Sequence, residues 1–160
     1  MKVGVLLPSR FEDPGEFLAD ARAMEAAGAD SIWLEEGDGY DPMLALAAIA
    51  AVTGNLRLGL ILPNAPSHSG GGSERGFETL QHLSRGRAMV GTSQGGKIVS
   101  GSEKWRLVEV PADREAWAET LRQAQLDVDG VLVPIDPRLL DILRHPQDAI
   151  DRSDLLLAQG

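Results

Sequence analysis

The sequence predicts an α/β protein built on mostly parallel strands, and three observations carry that expectation. Short apolar runs alternate with longer amphipathic stretches. The runs are apolar at every position rather than at alternate ones, and helix-opening pairs such as Asp13-Pro14, Asp41-Pro42 and Asp136-Pro137 recur between them. Strands covered on both faces read as continuous apolar runs, and strands alternating with helices imply right-handed crossovers between parallel neighbours. With 160 residues the chain can bury one core and reads as a single domain, residues 1–160. It is too short for an eight-stranded α/β barrel of the usual ~250 residues.

Taken in order, Val3–Leu7 is the first strand, stopped by Pro8. Asp13 caps the first helix, Pro14 sits where its missing N–H costs nothing, and Glu16 completes a capping box. Phe17, Ala21, Met24 and Gly28 then fall on one stripe, with Gly28 as the stop. Ser31–Leu34 is the second strand. Asp41 opens the second helix, which buries Leu46, Ala47, Ile49 and Ala50 and ends near Gly54. Leu56–Leu62 is the third strand, and Asn64 to Gly76 reads as a loop. Phe77, Leu80 and Leu83 mark a short helix ended by Gly86. Ala88–Gly91 is the fourth strand, followed by a Gly/Ser-rich stretch from Thr92 to Ser102. Trp105–Val110 is the fifth strand, Asp113 caps the next helix, Val131–Val133 is the sixth strand, and a last helical region begins at Asp136. About six strands are expected.

Charge and composition remove several classes of function. Fifteen Lys and Arg against 24 Asp and Glu give a net charge of −9, which repels phosphate backbones and argues against nucleic-acid binding. Cysteine is absent, so disulfides, thiolate catalysis and Cys-based metal sites are excluded. His68, His82 and His145 show no metal-ligand spacing, and no metal is expected. No run approaches the ~18 apolar residues of a membrane span, so the expected location is the cytoplasm.

In a parallel α/β sheet, ligands bind at the carboxyl ends of the strands. Three features lie there. Glu35, Glu36, Asp38 and Asp41 crowd the end of the second strand; mutual repulsion suits such carboxylates to proton transfer, and a solvated acidic loop is the alternative. Gly91-Thr92-Ser93-Gln94-Gly95-Gly96-Lys97 follows a strand and offers N–H groups, hydroxyls and a cation to an anion, although Gly-rich flexibility alone explains its composition. His68 is the one histidine in a strand-end loop. Glu35 and His68 are the candidate catalytic residues.

Several blocks in order also resemble a known family. Residues 17–35, ending Ala29-Asp30-Ser31-Ile32-Trp33-Leu34-Glu35, look like the first helix and second strand of the bacterial luciferase-like flavin monooxygenases. Residues 40–59 are similar to the family's "DPl.aLaalAa.T..irLG", and Glu78 to Arg87 resembles its "tLd.lS.GR". The resemblance implies a shortened TIM-barrel-like (βα) fold, a homodimer, and FMN or the deazaflavin F420 as cofactor for the oxidation of a small-molecule substrate. It places Ile61, Leu62, Gly91, Thr92, Ser93, Gln94, Gly95 and Gly96 at the cofactor. It also exposes departures: Glu36-Gly37 stands where a histidine often follows the glutamate, and Gln94 where luciferases carry an arginine. The barrel's middle is missing around residues 97–105. A non-catalytic homodimeric binding or scaffold protein is the alternative function. Too few strands for ordinary closure leave either a tighter barrel or an open sheet with edges prone to association. The Asp41–Gly54 and Phe77–Leu83 helices are the expected dimer surface.

Overall fold

The first four strands pair side by side and in parallel, as their apolar runs require. The computed structural model describes residues 1–63 and 71–143. Strands β1 (Lys2–Leu6), β2 (Ser31–Glu35), β3 (Arg57–Leu62) and β4 (Ala88–Gln94) alternate with helices α1 (Pro14–Ala26), α2 (Pro42–Val52) and α3 (Gly71–Leu83). Strands β5 (Lys97–Ser100) and β6 (Glu103–Leu107) follow, then α4 (Arg114–Ala124), β7 (Gly130–Pro134) and α5 (Leu139–Leu143). The strand order β1 to β7 closes into a barrel through a parallel β7–β1 pairing.

The expectation of six mostly parallel strands is therefore corrected to seven in a mixed barrel. The Gly/Ser-rich stretch expected as a loop is a pair of antiparallel hairpins, β4–β5 and β5–β6. Gln94 pairs with Lys97 across the two-residue loop Gly95-Gly96, and both glycines have positive φ (56° and 78°), as a type I′ turn demands. Ser100 pairs with Glu103 across Gly101-Ser102, with positive φ at Gly101 alone. An antiparallel pair of strands thus occupies residues 97–107. Among the described residues no sheet edge remains, so edge exposure there gives no reason for association.

The three aspartate caps form as expected, although among the described residues no bond from Asp13 N to the Glu16 side chain closes the expected capping box. Asp13 accepts from Gly15 N and Glu16 N, Asp41 from Met43 N and Leu44 N, and Asp113 from Ala116 N. Helix α3 starts earlier than Phe77, at Gly71, which shortens the expected 64–76 loop. The last helical region is represented by α5, and the rest of that expectation lies outside the described residues.

Strands β1 to β4 and β7 have two apolar faces because each divides two cores. Outward residues such as Val5, Ile32, Leu58 and Val131 pack against the helices, while Trp33, Ile61, Met89, Ile98, Trp105 and Leu132 fill the lumen. Trp33 and Trp105 are fully buried and meet edge to face at 5.4 Å. A barrel this narrow accommodates two indoles only where facing positions lack side chains. A Cβ on Gly59 would lie 2.1 Å from Trp33 Cδ2, and one on Gly130 2.4 Å from Trp105 Cε3.

The amino-terminal mouth is closed by charge. Lys2, Arg57 and Glu103 come from strands that are not neighbours and occupy the lumen-facing rows, where both cations meet the Glu103 carboxylate. Burial pushes Glu103 up, but hydrogen bonds from Lys2 and Arg57 outweigh it and leave the carboxyl below its ordinary 4.5. A carboxylate with a depressed folded-state pKa contributes stability that is complete above 4.5 and lost as pH falls through the lower value. We expect the urea midpoint to fall below pH 4.5 and to fall less steeply in Glu103→Gln. At pH 7 Glu103→Ala is expected to cost about 1–3 kcal/mol. Equal pH slopes in both proteins would place the acid sensitivity elsewhere.

Candidate functional site

Strand register decides which carboxyl-end residues can meet a ligand in the barrel mouth. Trp33 and Ile61 lie in the lumen, and pairing Glu35 with Ile61, Ile61 with Gly91, and Ser93 with Ile98 puts Glu35 and Ser93 on the same inner rows. Leu6, Leu107 and Pro134 complete the upper ring by the same parity. Below them the two tryptophans seal the lumen, so the mouth is a shallow cup rather than a channel.

The expected cofactor residues divide along this parity. Ile61, Gly91 and Ser93 face inward. Leu62 packs against the outer core, and Thr92 and Gln94 share the outer face of the hairpin, where Gln94 Nε2 donates to Thr92 Oγ1 at 3.1 Å. The missing side chain of Gly91 leaves room for Ile98, whose Cγ2 would lie 2.6 Å from a Cβ there. Gly95 and Gly96 form the turn. His68 lies outside the described residues, and His82 is an exposed residue of α3.

A cleft of about 420 Å³ opens at the carboxyl ends of β1 and β2, lined by Leu6, Leu7, Pro8, Ser9, Glu35 and Glu36 among others. Its two loops are stitched together. Tyr40 N donates to Ser9 O at 2.9 Å, Arg10 Nη2 donates to Asp38 O, and Gly39 lies so close that a Cβ would stand 2.3 Å from Ser9 O. Phe11 stacks on Phe17 at 4.0 Å and meets Tyr40 edge-on at 4.9 Å. Of the four crowded carboxylates, Asp41 is committed to the α2 cap, whereas Glu35 is exposed at the rim and makes no ion pair among the described residues. A larger pocket, about 450 Å³, lies on the outer surface between α2 and α3, away from the strand ends.

By strand parity the cup has an apolar floor, with the Ser93 hydroxyl and the Glu35 carboxylate on its rim. Charge for a phosphate does not come from the hairpin: Lys97 and Arg106 both bind Asp127, the former at 2.8 Å, and together hold its carboxyl below the usual range. Arg138 is likewise bound to Asp136 at 2.9 Å. Sequence reasoning missed Arg10, because a lone arginine in a loop carries no pattern; only the folded loops reveal its surroundings.

A family model described as luciferase-like monooxygenase matches residues 1–125. Among solved structures, a long-chain alkane monooxygenase (LadA) is similar with a TM-score of 0.51 and 15% identity, over 79% of this chain and 38% of that one. The coenzyme F420-dependent tetrahydromethanopterin reductase of Methanopyrus kandleri gives a TM-score of 0.49 at 19% identity, over 74% of this chain and 29% of that one. A riboflavin lyase (RcaE), solved with modified FMN and riboflavin, gives 0.47 at 18%, over 60% and 30%. The chain thus spans less than two fifths of the length of each. No curated protein sequence matches it at a significant level. Among the described residues no helix is long and apolar enough to cross a membrane.

Proposed function

The chain belongs to the luciferase-like monooxygenase family, and on that premise we propose that it is an oxidoreductase using FMN or F420 on a small organic substrate. The observation that carries the reading is the cup itself: a sealed, packed barrel whose carboxyl mouth presents Glu35 and Ser93 above an apolar floor. A bound flavin or deazaflavin would supply the hydride chemistry. Leu6 and Ile61 would support the ring, Ser93 would hydrogen-bond its edge, and Glu35 would hold or release a proton at its carboxylate. His68 is the second proposed proton-transfer residue on its chemistry alone, and the protein is placed in the cytoplasm. The absorbance spectrum of the purified protein, followed by titration with FMN and with F420, tests the proposal. Saturable perturbation of either chromophore is expected, and Glu35→Gln should leave that binding intact while slowing substrate oxidation on the order of 10²-fold, the scale of a lost general acid or base.

The second reading, a non-catalytic homodimer, is favoured by the hairpin cations being bound to Asp127 and by the surface of α2. Leu44, Ala48, Ala51 and Val52 form an exposed apolar stripe there, with Leu44 72% exposed, beside the α2–α3 groove and Leu83. Stripes of this kind mark protein contacts. In either reading we place a homodimer interface on this stripe. Light scattering should show a dimer at micromolar concentration, and Ala48→Arg with Ala51→Arg should shift it to the 17.1 kDa monomer. A dimer that survives both changes moves the interface elsewhere; a folded protein that binds neither cofactor favours the second reading.

A further inference from the structure

Arg10 is the odd charge of the carboxyl mouth. Glu12 and Asp13 neighbour it in sequence and Asp38 lies across the stitched loops, yet its guanidinium makes no ion pair among the described residues. It donates one hydrogen bond, to the neutral carbonyl of Asp38, and lies over the Tyr40 ring at 5.9 Å. The other cations near the strand ends are engaged: Lys97 with Asp127, Arg138 with Asp136, while Arg75 lines the outer α2–α3 groove.

The position of Arg10 is fixed on both sides. Ser9 is held through its carbonyl by Tyr40 N–H, and Phe11 is held between Phe17 and Tyr40. Ser9 and Gly37 line the cleft, and the guanidinium is bonded to the carbonyl of Asp38, the residue after Gly37, so it stands beside the cleft wall. A planar fork retained by one neutral acceptor and an aromatic face keeps further N–H donors for a two-pronged acceptor, the geometry that suits phosphate or carboxylate. In a protein with net charge −9, a cation without a carboxylate partner among the described residues favours a ligand that brings its own negative group.

We propose that Arg10 takes the anionic group, phosphate or carboxylate, of the molecule bound in the cleft at the ends of β1 and β2. The proposal rests on reading that cleft as the ligand site. The source is either the cofactor's phosphate or an acidic substrate, and the experiment separates them. Wild type, Arg10→Ala and Arg10→Lys, checked for equal thermal unfolding, are titrated with FMN and with riboflavin, which lacks the phosphate. The Arg10 Nε–Hε resonance is followed by NMR during addition of inorganic phosphate and of acetate.

The expected result is that FMN binds wild type about tenfold more tightly than riboflavin. Arg10→Ala should abolish the difference without changing riboflavin binding, and Arg10→Lys should restore part of it. If Arg10→Ala leaves the FMN preference unchanged while the Nε–Hε signal still shifts saturably, the anion site stands and the substrate supplies the anion. If neither flavin binds and the signal still shifts, the cofactor reading fails and the anion site stands. An unmoved Nε–Hε signal, together with unchanged FMN binding in Arg10→Ala or none in any variant, overturns the proposal.

Discussion

Replacing Trp33 with alanine is expected to cost the barrel about 3–5 kcal/mol, the range for removing a fully buried large aromatic. The indole spans the lumen from β2 and closes on the backbones of three other strands. Cβ atoms built on Gly4, Gly59 and Gly91 would all fall within 2.9 Å of it. Its Nε1 is satisfied by Ser31 Oγ at 2.9 Å, so no polar penalty offsets the loss of packing. The converse change tests the same interface. Gly59→Ala should cost about 1–3 kcal/mol by overpacking, but far less in a Trp33→Leu background, where the new methyl enters vacated space. Urea midpoints of the four proteins measure the coupling. If the two changes add, Gly59 is not glycine on account of the indole.

The outer architecture was legible in the sequence for a simple reason. Strands β1 to β4 and β7 are buried on both faces, so they appear as uninterrupted apolar runs, and Asp13, Asp41 and Asp113 mark helix starts that the structure confirms. That same continuity hid the site. When both faces are apolar, a run such as Leu58 to Leu62 does not show that Ile61 points inward and Leu62 outward; only the register does. The hairpins were missed although Gln94-Gly95-Gly96-Lys97 and Ser100-Gly101-Ser102-Glu103 are two-residue turn signals flanking the strand-like Ile98-Val99. A run of glycine and serine reads as loop unless the spacing between turns is weighed against strand length. Arg10 was invisible for a different reason, since its meaning lies in the two loops that meet at it and in the absence of an ion-pair partner among the described residues.

Arg87 illustrates a motif whose pattern was readable and whose role was not, and its loss should be the largest of any single polar change. From the loop before β4 its guanidinium donates to the carbonyls of Ala50, Thr53, Leu56 and Ser84 and to Thr53 Oγ1, at 2.8–3.1 Å. Three of those carbonyls belong to the end of α2 and the turn into β3, where backbone acceptors otherwise lack partners. The N–H side of the same turn is held by Glu25 of α1, whose carboxylate accepts from Gly54, Asn55 and Leu56. Burial pushes Glu25 up, but these N–H groups and Arg87 outweigh it and leave the carboxyl below its ordinary value. One turn is therefore gripped by a guanidinium on its acceptors and a carboxylate on its donors. Arg87→Met should cost about 2–4 kcal/mol, because the carbonyls lose charged donors that water replaces only in part. Arg87→Lys should recover little, since one ammonium cannot span four carbonyls. Glu25→Gln should cost about 1–2 kcal/mol. The double variant should cost less than the sum, because each partner orders the backbone that the other grips. Denaturant unfolding of the four proteins at pH 7 gives the coupling, and strict additivity would mean that the two side chains stabilise the turn independently.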